Sequence, residues 1–236
     1  MSNQASEILR VENLHYCYGK VEVWRDLNLS LQEGKTSFLV GHNGSGKSTL
    51  LRCLAGMGSP TQGRVYLQGK QFLGTSRKER SRIAFVPDMP SFYDDLTAEE
   101  HIRFMMRVNR QEGEYARAER LLEEFDLARF TQQYPSTFSR GMREKLALVI
   151  ALLTKAQLYL LDEPYGPLDN DASKLLSAKL QACTAEGATV LLSCHHAVPG
   201  LVPDKVFLLE DETLFHKDES YLQELWGFDL AQEQSL

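Results

Sequence analysis

The residues with the clearest chemistry lie in a short glycine-rich stretch. Gly41-His42-Asn43-Gly44-Ser45-Gly46-Lys47-Ser48 fits the pattern G-x-x-x-x-G-K-S/T. Glycines let successive backbone N–H groups turn inward around a β-phosphate. A helix opening near Ser48 would add further N–H donors and the positive end of a dipole. That dipole contributes ~1–2 kcal/mol at best, whereas micromolar binding needs ~8 kcal/mol. Lys47 must therefore add a charge near the β- and γ-phosphates, and Ser48 a hydroxyl for Mg²⁺. Gly41, Asn43, Gly44, Ser45, Gly46 and Thr49 complete the expected nucleotide-binding loop.

A second constellation follows downstream. Leu158-Tyr159-Leu160-Leu161-Asp162-Glu163 is an apolar run closed by two carboxylates. Strand side chains alternate, so the two acids are expected on different sides. Asp162 would hold Mg²⁺ through water, and Glu163 would polarise or deprotonate an attacking water. Solvated acids at a strand end are the competing reading, and they lose ground beside a phosphate loop.

These groups need elements to position them. Thr36 to Val40 reads as a strand running into the loop, with Leu29 to Leu31 as a strand before it. A helix is expected from Ser48 to about Met57, closed by Gly56 and Gly58. Gly63 to Leu67 and Ile83 to Val86 read as further strands, the latter stopped by Pro87. From Asp88 to about Lys155 the pattern turns almost wholly helical. Thr97-Ala98-Glu99-Glu100 is a capping box, Glu114 to Phe125 is a charged amphipathic helix, and residues 140–154 show helical spacing of apolar positions. Strands return at Leu158 to Leu161, Thr189 to Ser193 and Val206 to Leu209, with a helix through Ala172 to Cys183 and a terminal helix around Tyr221 to Trp226.

Composition bounds the answer. The 236 residues are 43% hydrophobic and 25% charged, with net charge −6, as expected for one large or two small globular domains. The acidic balance argues against non-specific nucleic-acid binding. The longest apolar run, Leu146 to Leu153, is far short of the ~20 residues of a spanning helix, and no signal-peptide pattern opens the chain. Cys17, Cys53, Cys183 and Cys194 form no CxxC pair. They read as buried free thiols of a reducing cytosol, with a metal site as the alternative.

The order of these motifs resembles the ATP-binding cassette (ABC) family, from Ile8 to about Phe215. Five further positions carry the likeness. Tyr18, in Tyr16-Cys17-Tyr18-Gly19, falls where the family stacks an aromatic on adenine, with Tyr16 and Trp24 as rivals. Phe138-Ser139-Arg140-Gly141-Met142 takes the place of the signature Leu-Ser-Gly-Gly-Gln, keeping Ser139 and Gly141 but not Arg140 or Met142. Ser139 is also a natural N-cap, and Arg140 could contact phosphate or form a surface ion pair. Gly166-Pro167-Leu168-Asp169 resembles the D-loop, which touches the partner subunit and places Asp169 at the nucleotide interface. Val190 to His195 is similar to the strand leading to the switch histidine, with His196 as register rival. Asp88 stands where the family has glutamine facing Mg²⁺ and water. Residues 89–96 resemble branches serving bacterial ABC-2-type exporters.

The resemblance implies an α/β fold, a P-loop NTPase of ABC type in which a mixed β core carries an inserted α-helical subdomain. A single nucleotide-binding domain would span 1–236, with a core lobe at about 1–87 and 156–215, a helical subdomain at about 88–155 and a tail at 216–236. It implies an ATPase that binds ATP and Mg²⁺ and energises a membrane transporter through ATP-driven dimer closure. Lys47, Glu163 and His195 would serve the chemistry. Tyr18, the 41–49 loop, Asp88, Asp162, Asp169, Ser139 and Gly141 would serve the nucleotide, and Ser48, Asp88 and Asp162 the metal. The implied partners are a second copy or a homologous ATPase and integral membrane permease chains, with no nucleic acid, at the cytoplasmic face of the membrane. A cassette ATPase serving a cytosolic assembly, such as an iron–sulfur scaffold, shares every one of these motifs.

Overall fold

The computed structural model describes residues 6–218 and 220–226. In chain order the strands are β1 (Glu7–Tyr18), β2 (Val21–Gln32), β3 (Thr36–Val40), β4 (Gln62–Leu67), β5 (Lys70–Gln71), β6 (Ile83–Val86), β7 (Leu158–Asp162), β8 (Thr189–Ser193), β9 (Lys205–Glu210) and β10 (Thr213–Lys217). The helices are α1 (Lys47–Leu54), α2 (Arg77–Arg80), α3 (Ala98–Asn109), α4 (Tyr115–Glu124), α5 (Arg140–Leu153), α6 (Asn170–Ala185) and α7 (Ser220–Trp226).

Six strands form one sheet in the order β10-β9-β3-β8-β7-β6, parallel except at β10. The order β2-β1-β4-β5 forms a second, antiparallel sheet. A parallel strand covered on both faces reads as a continuous apolar run, and every residue of β3, β7 and β8 is buried. Alternation along these strands divides the interior into two cores. Phe38, Val40, Tyr159, Leu161, Val190 and Leu192 pack with α3, α4, α5 and α6. Leu39, Leu158, Leu160 and Leu191 pack with α1 and the antiparallel sheet. Trp24 anchors that second core and is fully buried, so truncating it to Ala costs about 3–5 kcal/mol.

The mixed β core and its helical insertion between β6 and β7 match the expectation. Helix α3 opens on the capping box read from the sequence: Thr97 Oγ1 accepts from Glu100 N at 3.2 Å, and Glu100 Oε2 accepts from Thr97 N at 2.8 Å. The insertion is less helical than its pattern suggests, because residues 88–97 form an irregular connection and α3 starts only at Ala98. The sequence also conceals most of β1 and β2, of which it shows only Leu29 to Leu31. Asn13 (φ 46°) and Asp26 (φ 52°) adopt left-handed backbone inside these strands and break their alternation. Strand β10 runs to Lys217 on an exposed sheet edge, so its residues look polar and the tail boundary at 216 falls inside it. Helix α7 lies where expected, and the tail beyond Trp226 falls outside the described residues. All four cysteines are free. Cys53 and Cys194 are buried as expected, whereas Cys17 and Cys183 are half-exposed because they sit near a hairpin end and a helix end. Among the described residues no helix is long and apolar enough to cross a membrane.

Candidate nucleotide-binding site

The site forms where β3, β7 and β8 end side by side. Ser193, the last residue of β8, pairs with Leu39 on one side and Asp162 on the other. The glycine-rich loop leaves β3 here. Gly41 (φ 153°) has room for no side chain, since a Cβ would lie 2.3 Å from the Leu209 carbonyl oxygen. At Gly46 (φ 99°) a Cβ would meet Val23 Cγ1 at 2.6 Å and Trp24 Cδ1 at 2.8 Å. Glycine is therefore required at both positions by space and torsion. Helix α1 starts at Lys47 with Gly46 as N-cap and no side-chain cap, which leaves its first-turn N–H groups for an anion.

Lys47 is only 6% exposed. Its ammonium arches back over the loop and donates to Gly41 O at 2.8 Å and His42 O at 3.1 Å. Burial pulls its pKa down, and the nearby Glu163 and Asp162 charges oppose that shift. Asp162 is 1% exposed. Its Oδ1 accepts from Ser193 Oγ at 2.7 Å, while the buried Oδ2 has no protein partner. That orphaned, buried carboxylate oxygen fits a Mg²⁺ ion, a hard cation that takes oxygen ligands.

Glu163 does not continue the strand. Its φ of 53° ends β7, and both carboxylates act electrostatically on Lys47. The turn is held by Glu163 N donating to Ser193 Oγ at 2.9 Å. Desolvation, partly offset by Lys47, pushes the Glu163 carboxyl up to about 7, a value suited to a general base. His195 Nε2 lies 2.8 Å from Glu163 Oε1 without hydrogen-bond alignment. Burial lowers the His195 pKa, with Lys47 as the next cause.

A cavity of about 800 Å³ opens over the loop and is bordered by Tyr18, Asp88, Glu163 and His195. Tyr18 is 53% exposed, with its hydroxyl 3.3 Å from Thr49 Oγ1. Of its rivals, Trp24 is buried and Tyr16 packs beside both at 5.0–5.5 Å without bordering the cavity. His196 is exposed and also lies outside it. Asp88 accepts from Arg140 Nη2 at 2.7 Å, so the open choice at Arg140 resolves to an ion pair in this structure.

Five expected nucleotide contacts do not border the cavity: Gly41 and Asp162, which lie beneath it at the ends of β3 and β7, and Ser139, Gly141 and Asp169. Ser139 caps α5 by accepting from Met142 N at 3.2 Å. Gly141 packs so closely on the D-loop-like segment that a Cβ would lie 2.8 Å from Pro167 O. Asp169 caps α6 through Ala172 N at 2.8 Å and accepts from Lys145 Nζ at 2.8 Å. Sequence reasoning assigned no role to Ser193, which holds both members of the acidic pair, or to Asp211 and Glu212, which border the cavity from the β9–β10 turn. A lone polar residue closing the apolar run Val190 to Leu192 was the available signal for Ser193.

A glycine-rich loop at a strand end, a buried lysine and an adjacent acidic pair define an α/β phosphate-loop nucleotide-binding protein. Residues 24–166 match the family model described as ABC transporter. The chain is 32% identical to the ABC-type transporter ATP-binding protein EcsA of Bacillus subtilis over 190 residues, covering 80% of this chain and 77% of that one. It is 32% identical to the SkfA peptide export ATP-binding protein SkfE of Bacillus subtilis over 212 residues, covering 88% and 87%. A solved ATP-binding subunit of an ABC transporter superposes with TM-score 0.84 at 30% identity, covering 97% of this chain and 98% of that one. A dimeric ATP-binding cassette in a post-hydrolysis state with ADP and Pi superposes with TM-score 0.79 at 22% identity, covering 90% and 99%. The chain belongs to the ABC transporter family, as an ATP-binding and ATP-hydrolysing subunit.

Proposed function

We propose that this subunit works as a head-to-tail dimer at the cytoplasmic face of a membrane, where ATP-driven closure energises an export permease. One observation carries the reading: the cavity holds phosphate-binding and water-activating groups, while Ser139 and Gly141 lie outside it in the same chain. The site is incomplete within one copy, and the N-terminus of α5 is available to a second copy's γ-phosphate. A homologous ATPase could take the place of the second copy.

Tyr18 would stack the adenine, the 41–49 loop and Lys47 would hold the phosphates, and Ser48, Asp162 and Asp88 would hold Mg²⁺. The bound Mg²⁺ supplies charge neutralisation at the phosphate oxygens. Glu163 accepts a proton from the attacking water, and His195 orients that water and Glu163. Lys145 and Asp169 join α5 to the segment that meets the partner, so closure moves both together. Differential affinity for the ATP-bound and ADP-bound states drives the cycle.

The permease docks beside the 88–106 segment. An apolar cavity of about 630 Å³ opens there between β6, α3 and α5. Tyr93 and Phe104 are exposed at its rim with their rings 5.8 Å apart. The likeness to SkfE supports an export partner. The helical 88–155 segment is the lobe that carries this surface and moves against the core.

Glu163→Gln tests the reading. With Mg-ATP the variant should run as a dimer on size-exclusion chromatography with light scattering, and wild type should return to monomer after turnover. A variant that stays monomeric with ATP bound would remove the dimer mechanism.

A further inference from the structure

The β1–β2 hairpin carries a second cluster with ligand chemistry, on the flank of the nucleotide cavity, which its member Glu22 borders. His15 and Cys17 alternate with Tyr16 and Tyr18 along β1, and Cys17 pairs with Glu22 across the hairpin. His15 Nε2 lies 2.9 Å from Glu22 Oε2 and 3.2 Å from Cys17 Sγ. All three ligand atoms fall within 4.8 Å of one another.

An imidazole nitrogen is either a donor or an acceptor, not both. Here a carboxylate and a thiol converge on the single atom Nε2, which can satisfy only one of them. A cation among the three satisfies all of them at once, with neutral imidazole and thiolate as ligands. Zinc bonds of ~2.0–2.3 Å place tetrahedral ligand atoms roughly 3.3–3.6 Å apart; the two spacings from Nε2, 2.9 and 3.2 Å, are slightly shorter than this, and Cys17 Sγ and Glu22 Oε2 lie within 4.8 Å. The framework is already set: Thr61 N donates to His15 O at 2.8 Å, and Cys17 N donates to Thr61 Oγ1 at 3.2 Å. Ligands on paired strands need no loop to be ordered. Arg25 Nη2 and Nε also donate to Glu22 Oε2, at 2.5 and 3.1 Å, from an exposed side chain, so a cation must share or take that oxygen from the guanidinium.

We propose that His15, Cys17 and Glu22 form a site for a borderline divalent transition-metal ion of the zinc class, with water completing the tetrahedron. The thiolate–imidazole–carboxylate set discriminates against Mg²⁺, which keeps to oxygen ligands, so this site is separate from the one at Ser48 and Asp162.

The test is titration of the tag-free, reduced full-length protein with Zn²⁺ against a chromophoric chelator, and with Co²⁺ followed by absorption. The expected result is one equivalent of Zn²⁺ and a sulfur-to-cobalt charge-transfer band. Cys17→Ser and His15→Ala should each weaken Zn²⁺ binding on the order of 100-fold or more, and Cys17→Ser should abolish the band. Cys183→Ser should change neither, and circular dichroism should show all variants folded. Absence of tight binding to wild type, or binding that survives both Cys17→Ser and His15→Ala, would overturn the site.

Discussion

Arg140 Nη2 sits 2.7 Å from Asp88 Oδ1, joining the end of β6 to the first residue of α5. Both residues depart from the family pattern, and each is the other's partner. The side chains are 56% and 38% exposed, so the pair contributes no more than ~1 kcal/mol to stability.

On the proposed reading, that weak pair would compete with metal for the same carboxylate. Arg140→Ala should leave thermal stability almost unchanged and lower the Mg²⁺ concentration for half-maximal ATPase about two- to fivefold. Asp88→Asn should raise it. Magnesium titrations of both variants decide the matter, and identical curves would remove Asp88 from the metal's surroundings.

Glu163→Gln replaces the proposed base with an amide of nearly the same size. Turnover should fall about 10²–10⁴-fold while ATP affinity is retained. Single-turnover hydrolysis alongside nucleotide-binding isotherms separates the two effects.

The raised Glu163 pKa gives the activity a pH limb. The base works only when ionised, so kcat/KM should rise as pH passes upward through about 7 in the free enzyme. A pH–rate profile of wild type, compared with the Glu163→Gln profile lacking that limb, checks the assignment.

Glu144 lies in α5 with both carboxyl oxygens buried and without protein partners. Desolvation first, then repulsion from Asp88, pushes its pKa up to about 9, with Arg140 opposing and Asp162 adding to the rise. The folded value exceeds the unfolded one. Its contribution is therefore fully present below about pH 4.5 and is lost as pH rises toward 9. The slope is up to about 1.4 kcal/mol per pH unit within that window. Glu144→Gln, which keeps a neutral side chain, should flatten the fall in stability between pH 5 and 8, measured by urea denaturation at each pH.

Tyr93→Ala should uncouple the permease while sparing basal ATPase, because Tyr93 is exposed and borders the apolar cavity rather than the nucleotide. Phe92 is less suitable alone, since it packs partly into the core and meets His101 at 5.3 Å. Loss of permease-stimulated ATPase in reconstituted vesicles is the expected result, and undiminished stimulation would place the docking surface elsewhere.

What could be read in the sequence was what is local. The glycine loop, the Thr97 capping box, the Ser139 cap and the apolar runs of β3, β7 and β8 each depend on neighbours a few residues away. The Asp88–Arg140 pair spans 52 residues and leaves no local trace. Ser193 matters because β7 and β8 end in register, which only sheet pairing decides. The left-handed turn that ends β7 at Glu163 likewise leaves no sign in the apolar run before it. Strands β1 and β2 were obscured by left-handed residues that break the pattern from which strands are recognised.

The partition of the six-stranded sheet gives neighbouring residues of one strand different evolutionary freedom. Leu160 answers to the nucleotide half, while Tyr159 and Leu161 answer to the helical half. Substitutions at the second set are met by α3 to α6, and those at Leu160 by α1 and the antiparallel sheet. On the proposed reading, the layer behind the docking surface and the layer behind helix α1 are thus packed by alternate side chains of the same strand.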